Sequence, residues 1–299
     1  MSEPYRLRRG TPDDSRAAFD CFLPAVRDLT RRQGAPWDPD PAELWTELSP
    51  MLELLAEHAA EWWVAEDPAT GEIIGYARSV ERGGLFELTE LFVHPSRQSA
   101  GLGAALIERA FPADRGEVRV IIATTDVRAQ ARYYGAGTAA RFPIVAVEGS
   151  PHTGEPDPTV DAVRLAPSAD LSPLIAIETA VLEFNRGDEF RWLLSQREGY
   201  LYRRDGEPIG FSFVSRKGTG PIAALEASDI VPILGHVESR AAELGVETLS
   251  LEVPMVNEVA MRHLLGRGMR MDTFLTLMMS SRPFGSFDRY IGFSPPFVL

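Results

Sequence analysis

The order of elements in this chain runs through twice, and that repetition constrains its fold more than any other feature. Apolar periodicity and turn residues predict a strand at Tyr5–Arg9 and helices at Asp13–Arg32 and Pro41–Ala60. Strands follow at Trp62–Glu66, Ile73–Val80 and Phe86–Val93, the first two joined by the turn residues Asp67–Gly71. A helix over Leu102–Phe111, a strand over Val118–Ala123, a short helix over Val127–Gly135 and a strand over Phe142–Val147 complete the first pass. The stretch 149–159 (GSPHTGEPDPT) is built of turn formers and acids. Residues 151–159 are therefore read as a linker between a domain at 1–150 and another at 160–299. The order then restarts at Val160–Leu165 and ends in a strand at Thr273–Met279.

Individual residues repeat as well. Gly71-Glu72-Ile73-Ile74-Gly75-Tyr76 returns as Gly206-Glu207-Pro208-Ile209-Gly210-Phe211, an offset of 135. Ala129 and Gly137 return as Ala260 and Gly268, an offset of 131, and Arg6-Leu7 as Arg164-Leu165, an offset of 158. The surplus of the first half lies in its two opening helices, around the loop Gln33–Pro41 that carries Trp37.

Between Leu88 and Ile107 an apolar strand runs into a proline turn, a glycine loop and an amphipathic helix. The first N–H groups of a helix have no intrahelical partner, and their dipole favours negative charge. Glycines at 101 and 103 let a phosphate approach those groups. Leu106 stands where a dinucleotide fingerprint needs its third glycine, and Ala104-Ala105 where a P-loop needs Lys-Ser/Thr. Both of those readings fail.

Gln98-Ser99-Ala100-Gly101-Leu102-Gly103 resembles motif A of the GCN5-related N-acetyltransferase (GNAT) superfamily, Gln/Arg-x-x-Gly-x-Gly/Ala. Asp126, Ala129, Tyr133 and Gly137 also match the spacing of that family's Asn-x-x-Ala-x-x-x-Tyr-x-x-x-Gly-Phe helix, with Asp for Asn and Thr138 for Phe. The resemblance covers residues 5–148. It implies an α/β (α+β) architecture of two tandem GNAT-like domains, each a mixed, mostly antiparallel sheet flanked by helices. It also implies that acetyl-CoA is the cosubstrate. Its pantetheine arm would pair with the backbone of Leu91, Phe92 and Val93, and its pyrophosphate would rest on Gln98, Ser99, Ala100, Gly101, Leu102, Gly103 and Ala104. Asp126 belongs to the same implied coenzyme site. Tyr133 falls on the family's general acid, and Glu90 on a position where some members place a base acting through water. A strand carboxylate serves equally well in a structural ion pair, and both roles stay open for Glu90.

The second half departs from that pattern. Its corresponding loop, Leu225-Glu226-Ala227-Ser228-Asp229-Ile230-Val231-Pro232, lacks glycine, and Leu264 holds the tyrosine position. Asp229 is expected to cap the following helix and repel phosphate. This half is read as a degenerate GNAT-like domain that walls the acceptor site or mediates a homodimer, and its tail, Pro283–Leu299, as packing.

A net charge of −13 argues against a nucleic-acid partner. Five scattered histidines and one cysteine, Cys21, offer no metal site and no disulfide framework. No apolar run is long enough to cross a membrane, and the charged start MSEPYRLRRG does not read as a signal peptide, so a cytoplasmic location is expected. The functional expectation is direct transfer of an acetyl group from acetyl-CoA to the amine of a small molecule or peptide. The alternative is a non-catalytic acyl-CoA sensor or a dimerisation protein.

Overall fold

The computed structural model describes residues 4–98, 101–187 and 189–293. Within them the chain forms two compact units. Unit 1 takes the chain up to Ala139 together with Met279–Arg282, and unit 2 takes Ala140–Met278 and the chain from Pro283.

Unit 1 runs β1 (Arg6–Arg9), α1 (Ser15–Arg32), α2 (Pro41–Glu57), β2 (Ala59–Glu66), β3 (Ile73–Arg82), β4 (Leu85–Val93), α3 (Leu102–Ala110), β5 (Val118–Thr124) and α4 (Val127–Gly135). Local chemistry sets these limits. Asp40 accepts from the N–H groups of Ala42 and Glu43 with Pro41 at the first helical position, so α2 starts there. Gly71 closes the β2–β3 turn at φ +76°, a conformation open to glycine. Strands β1 to β4 pair antiparallel in chain order. The α3 crossover then returns the chain so that β5 pairs parallel to β4. Helix α3 packs on the face of β3 that carries Gly75 and Ser79: a Cβ on Gly75 would meet Leu102 and Leu106 (3.1 and 3.3 Å), and the Ser79 hydroxyl donates to the Ala110 carbonyl (2.6 Å).

Unit 2 holds β6 (Ala139–Gly149), β7 (Asp161–Arg164), α5 (Ser172–Leu182), α6 (Glu189–Gln196), β8 (Glu198–Arg204), β9 (Glu207–Ser215), β10 (Gly218–Ala224), α7 (Ile230–Glu243), β11 (Leu249–Pro254), α8 (Glu258–Gly266), β12 (Arg270–Ser280) and β13 (Tyr290–Ile291). One sheet runs β13-β10-β9-β8-β7, and β6 lies between β12 and β11. Its core joins Val145, Val147, Leu249, Leu251 and Val253 to Ile230, Leu234, Val237 and Leu264 of α7 and α8.

The division differs from the boundary expected at 151–159. That segment is irregular, but compactness divides the chain at Ala139. The reason is pairing. Strand β6, expected as the last strand of the first half, runs antiparallel to β11 from Ile144↔Pro254 to Gly149↔Leu249. Conversely, Ser281 just beyond β12 donates its N–H to the carbonyl of Arg119 (2.9 Å) and accepts from the Arg119 N–H at its Oγ (3.0 Å). Unit 2 thus contains the last strand expected for the first half, and unit 1 takes the short segment Met279–Arg282 from the second.

A second difference is β13, read from sequence only as tail packing. It pairs with β10 through Ile222↔Ile291 and Ala223↔Tyr290. The Gly292 N–H donates to the Glu252 carbonyl of β11 (2.9 Å). Chain contact is so close there that a Cβ on Gly220 would collide with the Gly292 carbonyl oxygen. The residues SPPFVL lie outside the described residues.

Candidate active site

Strands β4 and β5 are hydrogen-bonded only from Leu85↔Val118 to Leu88↔Ile121. A bulge at Thr89 marks the point where the register with β3 shifts and the strands part. Beyond it no residue of β5 pairs with Leu91–Val93, and the Val93 carbonyl instead accepts from Gln98 Nε2 (3.3 Å). A cleft opens there, lined by Thr89, Leu91, Phe92 and Val93 from β4, Ile121, Ile122 and Thr124 from β5, Ala25, Leu29 and Arg32 from α1, and Tyr133 from α4. Phe92 is held by rings on its own side of the sheet, edge-on to Phe22 at 4.9 Å and tilted against Tyr76 at 5.7 Å.

The open end of the cleft reaches Gln98, Gly101 and Gly103. Gly101 precedes α3 at φ +81°, and a Cβ there would meet nothing within 4 Å, so its requirement is conformational. Its carbonyl accepts from the N–H groups of Ala104 (3.0 Å) and Ala105 (3.1 Å). That leaves the N–H groups of Leu102 and Gly103 ahead of the first intrahelical bonds. The Leu102 side chain is buried beneath the helix, and the Ala104 side chain is exposed away from the cleft. Ser99 and Ala100 lie outside the described residues.

Four arginines surround this end: Arg32, Arg97, Arg128 and Arg132. Arg97 pairs with Asp67. Asp126 accepts from Arg32 (3.0 Å) and Arg128 (3.2 Å), and also from the N–H groups of Arg128 and Ala129, which makes it the N-cap of α4. Burial raises the proton affinity of Asp126, but these hydrogen bonds outweigh it and hold the carboxyl well below the usual range. Arg128 also reaches Gln98 Oε1 at 3.3 Å. In a chain of net charge −13 this is a local excess of cation. Sequence reading missed all four arginines. The available signal was Arg128 and Arg132, one helical turn apart behind Asp126.

Tyr133 is 7% exposed, and burial raises its proton affinity, so it is a neutral phenol at physiological pH. Tyr134 faces solvent. Glu90 is not on the cleft. Its carboxylate accepts from Tyr76 Oη (2.8 Å) and lies 2.9 Å from Arg78 Nε, with Arg78 stacked on Trp62 and donating to the Leu52 carbonyl. Glu90 and Arg78 are 2% and 1% exposed. Of its two expected roles the structure shows the ion pair, because the side chain projects toward α2 rather than toward the gap.

Cys21 is buried, and burial pushes its thiol up to about 12. Trp37 is exposed and does not line the cleft. Among the described residues no group of His, Cys, Asp and Glu could hold a metal ion, and no helix is long and apolar enough to cross a membrane.

The counterpart gap in unit 2, between β10 and β11, contains β13. Asn257, at the position of Asp126 in the repeat, caps α8 through the Ala260 N–H and donates to the Tyr290 carbonyl (3.2 Å). Tyr290 Oη takes a bond from Arg186, and Arg197 lies over the Phe293 ring at 3.9 Å. Leu264, in place of the tyrosine, is fully buried in the core. Asp229 begins α7 as expected but makes no side-chain cap; it pairs with Arg204 instead.

Comparison with known proteins agrees with this geometry. Residues 58–137 match the family described as acetyltransferase (GNAT) domain. No match was found among curated proteins. Similar solved structures include a protein of Pyrococcus horikoshii at TM-score 0.74 and 14% identity, covering 97% of this chain and 94% of that one. A GCN5-related N-acetyltransferase of Sphaerobacter thermophilus aligns at TM-score 0.63 and 17% identity, covering 95% and 98%. The tandem GNAT protein from the clavulanic acid biosynthesis pathway aligns at 0.57 and 14%, covering 93% and 99%. Residues 58–137 thus match a GNAT acetyltransferase domain, and the fold of the chain is like that of solved GNAT structures, a tandem GNAT protein among them.

Proposed function

We propose that unit 1 binds acetyl-CoA in the β4–β5 cleft and transfers its acetyl group to the amine of a small molecule or peptide. The observation that carries this reading is a strand edge that β5 leaves at Leu91–Val93 and that leads, in one continuous cleft, from Tyr133 to the Gly101 loop. An extended pantetheine arm would complete the missing backbone hydrogen bonds of β4. The pyrophosphate would take the N–H groups of Leu102 and Gly103 and the side chains of Arg128 and Arg132.

In the transfer, the nitrogen lone pair of the amine attacks the thioester carbonyl carbon and forms a tetrahedral intermediate. Collapse of that intermediate breaks the C–S bond. Tyr133, kept neutral by burial, gives its proton to the departing sulfur, and the protonated nitrogen of the intermediate loses its proton to solvent, from which the phenol is reprotonated, leaving a neutral amide and free thiol. With Glu90 sealed in its ion pair, the acceptor reaches the thioester as the free amine or loses its proton to water. Among the described residues the one carboxylate lining the cleft, Asp126, is already engaged by arginine. That same observation favours the second reading, an acyl-CoA sensor without turnover.

Thiol release from acetyl-CoA over an amine panel separates the two. Turnover that falls about 100-fold or more in Tyr133→Phe, with coenzyme affinity kept, supports the transfer and its acid. A Tyr133→Phe variant as fast as wild type removes Tyr133 from the mechanism. Binding without thiol release for any amine leaves the sensor.

A further inference from the structure

Helix α4, which carries Tyr133, ends in a left-handed cap. Ala136 is its C-cap, and Gly137 beyond it takes φ +84°. The Gly137 N–H donates to the Tyr134 carbonyl (3.0 Å) and the Thr138 N–H to the Tyr133 carbonyl (3.1 Å). These two bonds make a Schellman motif, in which the residue after the glycine ordinarily packs an apolar side chain on the last turn. Helix α8 ends in that ordinary way. Gly268 takes φ +85°, the Met269 N–H donates to the Leu264 carbonyl (3.2 Å), and the Met269 and Leu264 side chains are both buried.

The α4 cap departs from its counterpart in two respects. Thr138 stands where the family resemblance calls for phenylalanine, and its buried hydroxyl gives the Tyr133 carbonyl a further bond (2.9 Å). The Ala136 carbonyl accepts from Arg119 Nη1 of β5 (2.8 Å). Burying a guanidinium is unfavourable unless something compensates its charge. Among the described residues of unit 1, the buried Arg78 and Arg82 face carboxylates. The buried Arg119 faces a helix C-terminus instead, where the dipole favours a cation. A Cβ on Gly137 would stand 2.9 Å from Arg119 Nη2, so the guanidinium fills the space beneath the glycine.

Tyr133 depends on such anchorage. Its hydroxyl has no hydrogen-bond partner among the described residues, so no bond at the tip of the ring fixes where it lies. A phenol that protonates a departing sulfur must meet it at hydrogen-bond distance, and a misplacement of about 1 Å costs up to ~100-fold in rate. We infer that Thr138 and Arg119 are positioning residues of the transfer, which fix the last turn of α4 and thereby the place of the Tyr133 hydroxyl. This rests on the reading of Tyr133 as the acid.

The test uses the full chain and three measurements: acetyl-CoA affinity by calorimetry, thiol release with the fastest amine of the panel, and the ring resonances of isotope-labelled tyrosine, with Tyr133 assigned from Tyr133→Phe. Thr138→Val keeps the shape of the side chain and removes the hydroxyl. It should move the Tyr133 signal and lower kcat about tenfold, with coenzyme affinity within about twofold of wild type. Thr138→Ser should restore both signal and rate, and Arg119→Met should act in the same direction as Thr138→Val. In the Tyr133→Phe chain, Thr138→Val should cost nothing further, because it acts through the phenol. A general loss of packing would instead lower kcat in both backgrounds and would not be rescued by serine. A Tyr133 signal unmoved in Thr138→Val, or an equal loss of rate in the Tyr133→Phe chain, overturns the positioning role. A Tyr133→Phe chain as fast as wild type overturns the acid on which that role rests.

Discussion

Replacing Glu252 with Gln keeps the shape of the side chain and removes the charge that β11 buries without a partner. Burial, reinforced by Glu148 and Asp272, raises this carboxyl from its ordinary 4.5 to about 7 in the folded chain. Because the folded state holds the proton more tightly than the unfolded state, the associated stability is fully present below pH 4.5. It is lost as pH rises through 7. Two and a half pH units at about 1.4 kcal/mol each put the full effect near ~3 kcal/mol. Glu252→Gln should therefore match wild type at pH 4.5 and gain over it by roughly 1 kcal/mol near pH 5.5, reaching about 3 kcal/mol at pH 8. Urea denaturation at several pH values, with the slope m checked for constancy, reads this difference. A constant gap across the range, or a variant less stable than wild type at pH 8, would refute the assignment of an unpaired carboxylate.

Other perturbations probe other parts of the account. Arg78→Ala strands Glu90 in the core and should cost about 3–5 kcal/mol in denaturation, whereas the double change Arg78→Met, Glu90→Leu should cost much less. Equal losses in the two would mean the pair is not the relevant interaction. Ile291→Ala leaves a cavity beside β10 in place of a fully buried side chain, with an expected loss of about 2–4 kcal/mol that places β13 in the folded core. A loss under about 0.5 kcal/mol would show that the segment is only loosely held.

Much of this was legible in the sequence. Period and turn chemistry located the helices because capping residues such as Asp40, and the breaker Gly34 after α1, mark their ends. The glycine loop was legible because positive φ at Gly101 is a backbone demand written in residue type. The tandem order was legible because both halves use the same turns. Four things were not. The allocation of β6 to unit 2 depends on which strand it pairs with, and strand pairing is a long-range choice that local pattern does not encode. The fate of Glu90 depended on Arg78 across the strand pair, since a carboxylate at that position reads alike whether it faces a cleft or a buried guanidinium. Tyr290–Ile291 is too short to carry a periodic signal, and it is a strand only because β10 and β11 part around it. The arginines of the cleft were hidden for a related reason: Arg32, Arg97 and Arg128 come from three separate elements and become one electrostatic feature only in the fold.

The central claim is that the Gly101 loop and the β4–β5 cleft hold one acetyl-CoA. Calorimetric titration of the wild type beside a Gly101→Glu, Gly103→Glu double variant tests it most directly. Neither position sits in the core, and a Cβ at Gly103 would stand 3.6 Å from Arg132 Nε, an ordinary contact. The variant is expected to fold, with about 1 kcal/mol of strain from positive φ at position 101. The account predicts one saturable site per chain in wild type and none in the variant. Two sites would contradict the assignment of the unit 2 gap to β13, and no binding, or binding unchanged in the variant, would contradict the coenzyme site itself.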